Sequence, residues 1–493
     1  MNVLLLYPEF PDTFWSFKHA LKFIRKRASL PPLGLLTVAA MLPRAWNKRL
    51  VDTNVRTLRD KDLAWADLVC IGAMIAQRES VERLIFRCRA AGKTILAGGP
   101  LFTSAHDEFP DVQHFVLNEA EVTLPEFLRD FERGCARRVY ATAEFADLSR
   151  TPVPLWALAD LPRYASMSIQ FSRGCPFDCE FCDVTAKFGH RARTKSVAQI
   201  IAELDEIYRL GWRDQIFFVD DNLIGNKRAL KSELLPALIE WQRQHRRGLP
   251  FYTEASINLA DDEGLMQLMV DAGFDGVFVG IETPDEASLV ECNKRQNQKR
   301  DLIADVKRMQ RAGLQVQGGF IVGFDNDTPA IFQRQMEFIQ NSGIVTAMVG
   351  LLNALPDTRL HARMRREGRL LGHTTGNNVD GTINFVPRMN ADALREGYKS
   401  ILRRIYAPSP YYQRVRTFLR EYRRPRFVAS LNWRNAWALG YSSFRLGVVG
   451  RERVHYWRLL LWTLFHRPAL LQLAVTLAIY GHHFRKCCVA IGV

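Results

Sequence analysis

The chain has 493 residues, enough for about three domains of ordinary size. Hydrophobic residues make up 47% and charged residues 24%, which excludes a disordered or fibrous protein. The formal charge of +15 is uneven: residues 401–493 carry sixteen Arg and Lys against only Glu421 and Glu452. The first 400 residues are therefore nearly neutral, which argues against a generally basic nucleic-acid-binding surface and for a basic, aromatic C-terminal module.

In chain order, MNVLLLYPEF lacks a basic n-region and meets an acid and two prolines within eleven residues, so it is expected to be a first strand and not a signal peptide. Val3–Tyr7, Arg49–Asp52, Leu68–Gly72, Thr94–Ala97 and His114–Leu117 are predicted strands, and Leu33–Leu42, Glu79–Ala91 and Leu124–Arg133 predicted helices. This alternation predicts an α/β fold with a doubly wound, Rossmann-like domain over residues 1–145. Gly72-Ala73-Met74 and Gly98-Gly99-Pro100 follow buried strands, where glycine lets a ligand approach the backbone. Residues 146–167 are punctuated by proline and form the expected linker.

Strand–helix units resume over residues 168–389. Ser168–Phe171, Gln215–Val219, Tyr252–Ala255, Gly276–Gly280, Val316–Val322 and Thr346–Leu352 are strand candidates. Helices are expected around 197–209, 229–243, 262–272, 286–292, 299–312 and 328–341. Six units predict a partial (β/α)6 barrel with its function at the strand C-termini. Residues 390–493 lose the strand signal and are expected to be mainly helical; the longest apolar run, Ala469–Tyr480, is too short to span a bilayer.

Nine cysteines in a chain this long do not make a disulfide scaffold. Cys175, Cys179 and Cys182 crowd into eight residues directly after the first barrel strand, a spacing that points to metal ligation in a reducing cytosol. Three thiolates can wrap one face of an iron–sulfur cube and leave one iron open; a structural zinc loop is the alternative.

Cys175-Pro-Phe-Asp-Cys179-Glu-Phe181-Cys182 resembles the hallmark of the radical S-adenosylmethionine (SAM) superfamily, and other landmarks of that family recur in order over roughly residues 165–390. They are Val219-Asp220-Asp221-Asn222, Thr253-Glu254-Ala255, Gly276–Glu282 and Gly318–Gly323. The resemblance implies that Cys175, Cys179 and Cys182 hold a 4Fe-4S cluster whose open iron takes SAM. SAM is then cleaved by one electron to a 5′-deoxyadenosyl radical that abstracts hydrogen. An electron donor such as flavodoxin or ferredoxin is implied with it. By position, Glu254 and Glu282 would meet the methionyl amine or ribose of SAM. Asp220 and Asn222 would line the substrate face, or cap the next helix. Gly318 and Gly319 would give close backbone approach, for adenine or for barrel packing. The family's Pro-Gly-Thr after the sixth strand is Pro356-Asp357-Thr358 here, without the glycine that tolerates a left-handed turn.

A doubly wound domain before such a barrel resembles the cobalamin-binding-domain radical SAM proteins, the class B methylase type. In the familiar cobalamin signature a loop histidine reaches cobalt. The corresponding loop here is Asp52-Thr53-Asn54-Val55-Arg56-Thr57, with Asn54 in the histidine's place, so imidazole ligation from this loop is excluded. Asn54 would orient a water or amide, and Gly72, Gly98 and Gly99 would cradle the corrin and its nucleotide tail. A methylthiotransferase would need a second cluster, and Cys70, Cys88 and Cys135 are the only thiols before the barrel.

The whole layout, with Leu68–Ser80 and Asn377–Pro387, resembles the members of that family that include bacterial hopanoid C-methylases. This implies a methyltransferase acting on an unactivated carbon of a hydrophobic lipid. The Leu- and Trp-rich stretch 454–484, broken by Pro468, would lie in a membrane interface or pack as a helical cap; RNA binding fits its apolar character least. The expected location is the cytoplasm at the inner face of the membrane, with contact through 401–493. Two other readings stay open: a radical SAM enzyme that rearranges a small metabolite without methylating it, and a catalytically silent binding protein. Cys292 has no assigned role, and Cys487-Cys488 is an acylation candidate.

Overall fold

Val3–Leu6 puts four apolar side chains in succession and all four are buried, the pattern of a strand covered on both faces. In the computed structural model, which describes residues 1–245, 248–377, 380–423 and 433–493, this segment is the first of six parallel strands. They are β1 (Asn2–Tyr7), β2 (Asn47–Asp52), β3 (Leu68–Gly72), β4 (Thr94–Gly98), β5 (His114–Val116) and β6 (Val139–Tyr140). Their order, β2-β1-β3-β4-β5-β6, makes β1/β3 the switch point, where a crevice opens beyond the strand C-termini. Alternate residues feed two apolar layers: Leu4, Val69 and Ile95 on one face, Leu5, Cys70 and Leu96 on the other.

The second sheet holds β7 (Met167–Ile169), β10 (Ile216–Phe218), β11 (Phe251–Glu254), β12 (Phe274–Glu282), β13 (Gln315–Val322) and β14 (Ala347–Leu351), all parallel and in chain order. No pairing joins β7 to β14 among the described residues, so the barrel is open along that side. Four of the barrel helices are started by a side-chain cap: Ser196, Asp262, Asp285 and Asp301 accept from the backbone N–H three residues on. Gly313 and Gly343 end two helices in the left-handed region that a side chain would strain. Strand alternation sets the lumen. Glu254 pairs with Phe278, Phe278 with Gln317, and Gly280 with Gly319, so these partly exposed residues share the inner face while Thr253, Val277 and Val279 lie buried under helices.

Between β7 and β10, the antiparallel pair β8 (Ser172–Arg173) and β9 (Arg193–Thr194) closes the base of the cysteine loop. Arg173 and Arg193 point into the first domain. Arg173 pairs with Glu119 at 2.9 Å and Glu121 at 2.7 Å, and Arg193 pairs with Glu119 at 3.0 Å. The Glu119 side chain is 2% exposed, and its Oε2 also accepts from Ala146 N. The 146–167 segment is no loose tether: Trp156 is fully buried, and the Tyr164 hydroxyl donates to Asp52 at 2.8 Å.

The C-terminal module is helical as expected: Ala391–Tyr406, Pro408–Glu421, Trp433–Gly447, Arg453–His466 and Leu471–Ala490. The 454–484 stretch divides in two. The Leu471–Ala490 helix is a core helix, with Ala474, Leu477 and Phe484 fully buried, whereas Arg453–His466 keeps an exposed apolar side. Residues 10–27, between β1 and the next helix, cross from the first domain and pack Phe14 and Phe23 into the barrel's own core.

Replacing Glu119 by Ala leaves two guanidiniums without their shared anion. Chemical denaturation of Glu119→Ala is expected to show a loss of about 3–5 kcal/mol, and Glu119→Gln a smaller one.

Candidate functional site

The cysteine loop leaves β8 through Gly174, whose φ of +97° and neighbours permit no side chain: a Cβ there would meet Arg191 O at 2.5 Å. Gly174 N donates to Asp221 at 3.1 Å, and Cys175 N to Gly189 O at 3.3 Å. The loop tip is pinned from two sides. The Glu180 backbone N–H donates to Cys292 O, and its carboxylate takes a bidentate pair from Arg363 at 2.7 and 3.0 Å. Asn293 Nδ2 and Arg359 Nη2 both donate to Asp178 O.

Cys175, Cys179 and Cys182 are half-buried at the carboxyl end of the barrel. Asn222 Nδ2 lies 3.9 Å from Cys175 Sγ, and Gln296 Nε2 lies 3.7 Å from Cys179 Sγ. Burial pushes the Cys175 thiol up and that of Cys182 up to about 12, with nearby Lys294 acting the other way. Lys294 is the site's fixed cation. Burial works against its charge, but Glu282, 2.6 Å from its ammonium, and then Cys179 hold it charged. A tetrahedral zinc ion would draw its sulfurs to within about 3.8 Å of one another. The three motif sulfurs do not all lie within 4.8 Å of one another, a spread that a cluster larger than one ion fits. Gln296 Oε1 beside it is buried without a partner, an acceptor that a bound group would satisfy.

Glu254 stands on the lumen side of β11. Burial pushes its carboxyl up to about 8, with Asp221 and Asp220 adding to the effect, and none of the described residues donates a hydrogen bond to it. It is an acceptor facing open space, suited to an ammonium or hydroxyl group. Stacked Phe217 and Tyr252 (4.5 Å, 11°) and the Trp15–Phe278 pair (4.8 Å) make the rest of the inner wall aromatic.

Several expectations need correction. Asp220 does not line a substrate face: it is fully buried, takes hydrogen bonds from Phe171 N, Ser172 N and Ser172 Oγ, and fastens the turn into the cysteine loop. Asn222 bridges Cys175 to Ser256 at the end of β11. Glu282 is committed to Lys294, held by a left-handed backbone (φ 64°) at the bulge that ends β12. Gly280 has no room for a Cβ beneath that pair. Gly318 packs against Phe320 and Ile344, under the helical layer, and Gly319 against Phe278 in the lumen. Asp357 takes φ +66° where glycine was expected, so the left-handed turn persists without it.

In the first domain, both N–H groups of the Asn54 amide are taken, by Pro8 O and Asp52 Oδ1, and its oxygen accepts from Phe10 N, so no donor is left for a cofactor. Gly72, Gly98 and Gly99 stand at the crevice, but Leu35, Val116 O and Ala73 O already fill the space beside them. Cys70 and Cys88 are buried on opposite faces of the sheet, which excludes a second cluster there. Cys292, Cys487 and Cys488 are buried, which removes the acylation reading. The Asn377–Pro387 phrase lies partly outside the described residues, at Asn378 and Val379. Lys294, Gln296 and Arg363 were missed because each is a lone polar residue whose partner lies at least 12 positions away.

A cleft of about 550 Å³ separates the domains, lined by Ser104, Asp357, His361, Arg365, Arg366 and His373.

The description "Radical SAM superfamily" fits residues 169–368, and a domain of unknown function, DUF4070, fits residues 358–492. An uncharacterized methyltransferase of Synechocystis is 41% identical over 496 residues, covering 98% of this chain and 91% of that protein. The hopanoid C-2 methylase of Rhodopseudomonas palustris is 34% identical over 418 residues, covering 84% of this chain and 78% of that protein. Among solved structures, the cobalamin-dependent SAM radical enzyme OxsB with aqua-cobalamin bound superposes with a TM-score of 0.63 at 13% identity, covering 99% of this chain and 80% of that one.

A carboxyl raised by burial favours folding where it is protonated. Stability is fully present below the unfolded value near 4.5 and is lost as pH rises through about 8. Glu254→Gln is therefore expected to be more stable than the parent at pH 8 by at least about 1 kcal/mol, with a flatter stability profile between pH 5 and 8 in thermal denaturation of the cofactor-free chain.

Proposed function

The chain belongs to the radical SAM superfamily, among its methyltransferases, and on that premise we propose a cobalamin-dependent C-methyltransferase for an unactivated carbon of a hopanoid-like lipid. The radical SAM domain implies a 4Fe-4S cluster and SAM. The observation that carries the reading is the wide three-thiol loop at the barrel's carboxyl end, held directly against a doubly wound domain. When bound, these cofactors supply hydrogen removal from an unreactive C–H bond and the methyl group that replaces it.

The chain's own residues bind, orient and exclude water. Cys175, Cys179 and Cys182 offer three thiolates. Asn222 and Gln296 direct N–H groups at two of the sulfurs, and Lys294 offsets their negative charge. Glu254 offers an acceptor in the lumen, and the aromatic wall excludes water from an apolar substrate. Cobalamin is supported by the crevice at β1/β3, by the interdomain cleft and by the shared fold of the cobalamin-bound relative. The Asp52–Thr57 loop would supply no ligand to it.

Membrane contact is part of the proposal. Among the described residues no helix is long and apolar enough to cross a membrane. Yet the helices Trp433–Gly447 and Arg453–His466 expose Trp437, Phe444, Val454, Trp457, Leu461 and Phe465, the last 77% exposed, beside exposed Arg451, Arg453 and Arg458. Apolar side chains ringed by arginine suit an anionic lipid interface.

Incubated anaerobically with SAM, cobalamin, a reductant and a hopanoid, the reconstituted protein is expected to give a product heavier by one methylene. Two SAM would be consumed per product, and Cys175→Ala would reduce this to background. A dehydrogenated or rearranged product without mass gain would replace methylation by redox rearrangement. In flotation with anionic vesicles, Leu461→Glu with Phe465→Glu is expected to cut recovery about tenfold or more; unchanged recovery would remove the membrane contact.

A further inference from the structure

A second cluster of ligating side chains lies away from the cysteine loop. Residues 10–27 pack against the Leu471–Ala490 helix: Phe14 meets Phe484 at 5.5 Å and Phe17 meets Tyr480 at 4.9 Å. In this seam His19 faces His483 and Cys487, which sit one helical turn apart. One nitrogen of each imidazole and the Cys487 sulfur all lie within 4.8 Å of one another. His483 is fully buried and Cys487 is 2% exposed.

The geometry is that of a coordination site. His483 Nε2 lies 3.0 Å from Phe14 O and can only donate to it, which fixes the tautomer and leaves the lone pair on Nδ1. Cys487 Sγ lies 3.7 Å from that Nδ1 and equally 3.7 Å from Nε2, and its thiol reaches Thr13 O at 3.7 Å. Two ligands on a tetrahedral zinc ion, at about 2.0 Å for nitrogen and 2.3 Å for sulfur, stand about 3.6 Å apart. A backbone carbonyl on the far nitrogen is the usual support of a metal-bound imidazole. Asp12 Oδ2, 3.8 Å from His19 Nε2, adds a nearby negative charge.

We propose that His19, His483 and Cys487 bind one divalent zinc-class ion, with Asp12 or a water as the fourth ligand. Cys487 gives up its proton to solvent on binding. Two soft-to-borderline nitrogens and a thiolate select zinc over magnesium or calcium. The ion clips the 10–27 segment to the last helix and so holds Trp15 against Phe278 in the barrel wall. The site shares no ligand with the cysteine loop.

The test uses the full-length, cluster-loaded protein equilibrated with micromolar zinc. About one zinc per chain is expected beyond the cluster's iron, with a zinc-edge X-ray absorption spectrum showing one sulfur near 2.3 Å and two or three nitrogen or oxygen neighbours near 2.0 Å. Cys487→Ser should remove the sulfur shell, and His19→Ala, at the half-buried edge of the seam, should weaken zinc binding at least about tenfold without loss of the circular dichroism spectrum. The Cys175, Cys179 and Cys182 triple Ala variant should retain its zinc. No stoichiometric zinc, a sulfur shell that survives Cys487→Ser, or zinc lost with the triple variant would each overturn the proposal.

Discussion

Two carboxylates at the end of the first domain hold the two guanidiniums that frame the cysteine loop, and most of the molecule's arrangement depends on that contact. Arg173 immediately precedes Gly174 and Cys175, while Arg193 closes the loop eleven residues after Cys182. Neither guanidinium has enough water around it to be solvated alone: their side chains are 14% and 21% exposed, and Glu119 is 2% exposed. A buried charge left without its partner costs several kcal/mol, so this pairing is an obligation of the fold more than a net source of stability. Its consequence is positional. The thiols cannot take up their places unless the first domain is docked, and the domain cannot dock with its acids buried unless the loop is formed.

From that junction the site is built by strand ends. β10 delivers Asp220, Asp221 and Asn222, which tie down the turn, the glycine and the first thiol in that order. β11 delivers Glu254, and the bulge at the end of β12 turns Glu282 back onto Lys294. Four neighbouring carboxylates thus have three fates. Asp220 and Asp221 fasten backbone, Glu282 neutralises a cation, and Glu254 faces the lumen. Burial raises Asp220 and Glu254 alike, so environment and not residue type separates the acid that is tied to backbone from the acid to which no described residue donates.

Much of this was legible before any coordinates. Apolar runs such as Val3–Leu6 and the alternation in Val316–Val322 are local signals, and nearly every strand and barrel helix falls within a few residues of its predicted place. The thiol spacing is also local, and it marked the loop proposed to hold the cluster. The elements that escaped are short and held by distant partners: β6, β8 and β9 have two residues each and exist through their pairing. The same holds for side chains. Nothing in the sequence around Lys294 says that a strand bulge twelve residues earlier will aim a carboxylate at it. Glycines misled in the opposite sense, since Gly98 and Gly99 need their small size for Val116 and Ala73 and not visibly for a ligand. The break of the tail at Pro468 was legible, but not that tertiary packing leaves the helix before it exposed on one side and buries the helix after it.

The seam between the 10–27 segment and the last helix also sets an order of assembly. Phe14 O and His483 are 469 positions apart, and Thr13 O and Cys487 are 474 apart. At roughly 5–20 residues per second, a ribosome needs on the order of half a minute or more to make the second partner after the first. During that interval the first sheet and most barrel strands are already available, but Phe14, Phe17 and Phe23 still lack the Phe484, Tyr480 and His482 rings they meet in the last helix. The nascent chain therefore carries an aromatic strap whose cover stays incomplete until the last helix is made. The wall beside Trp15 is the last part of the barrel to be completed, after the cysteine loop has been synthesised. Loss of the final helix by truncation would accordingly be felt at the two ends of the chain together, as a sticky, incompletely closed barrel and not as a shortened tail.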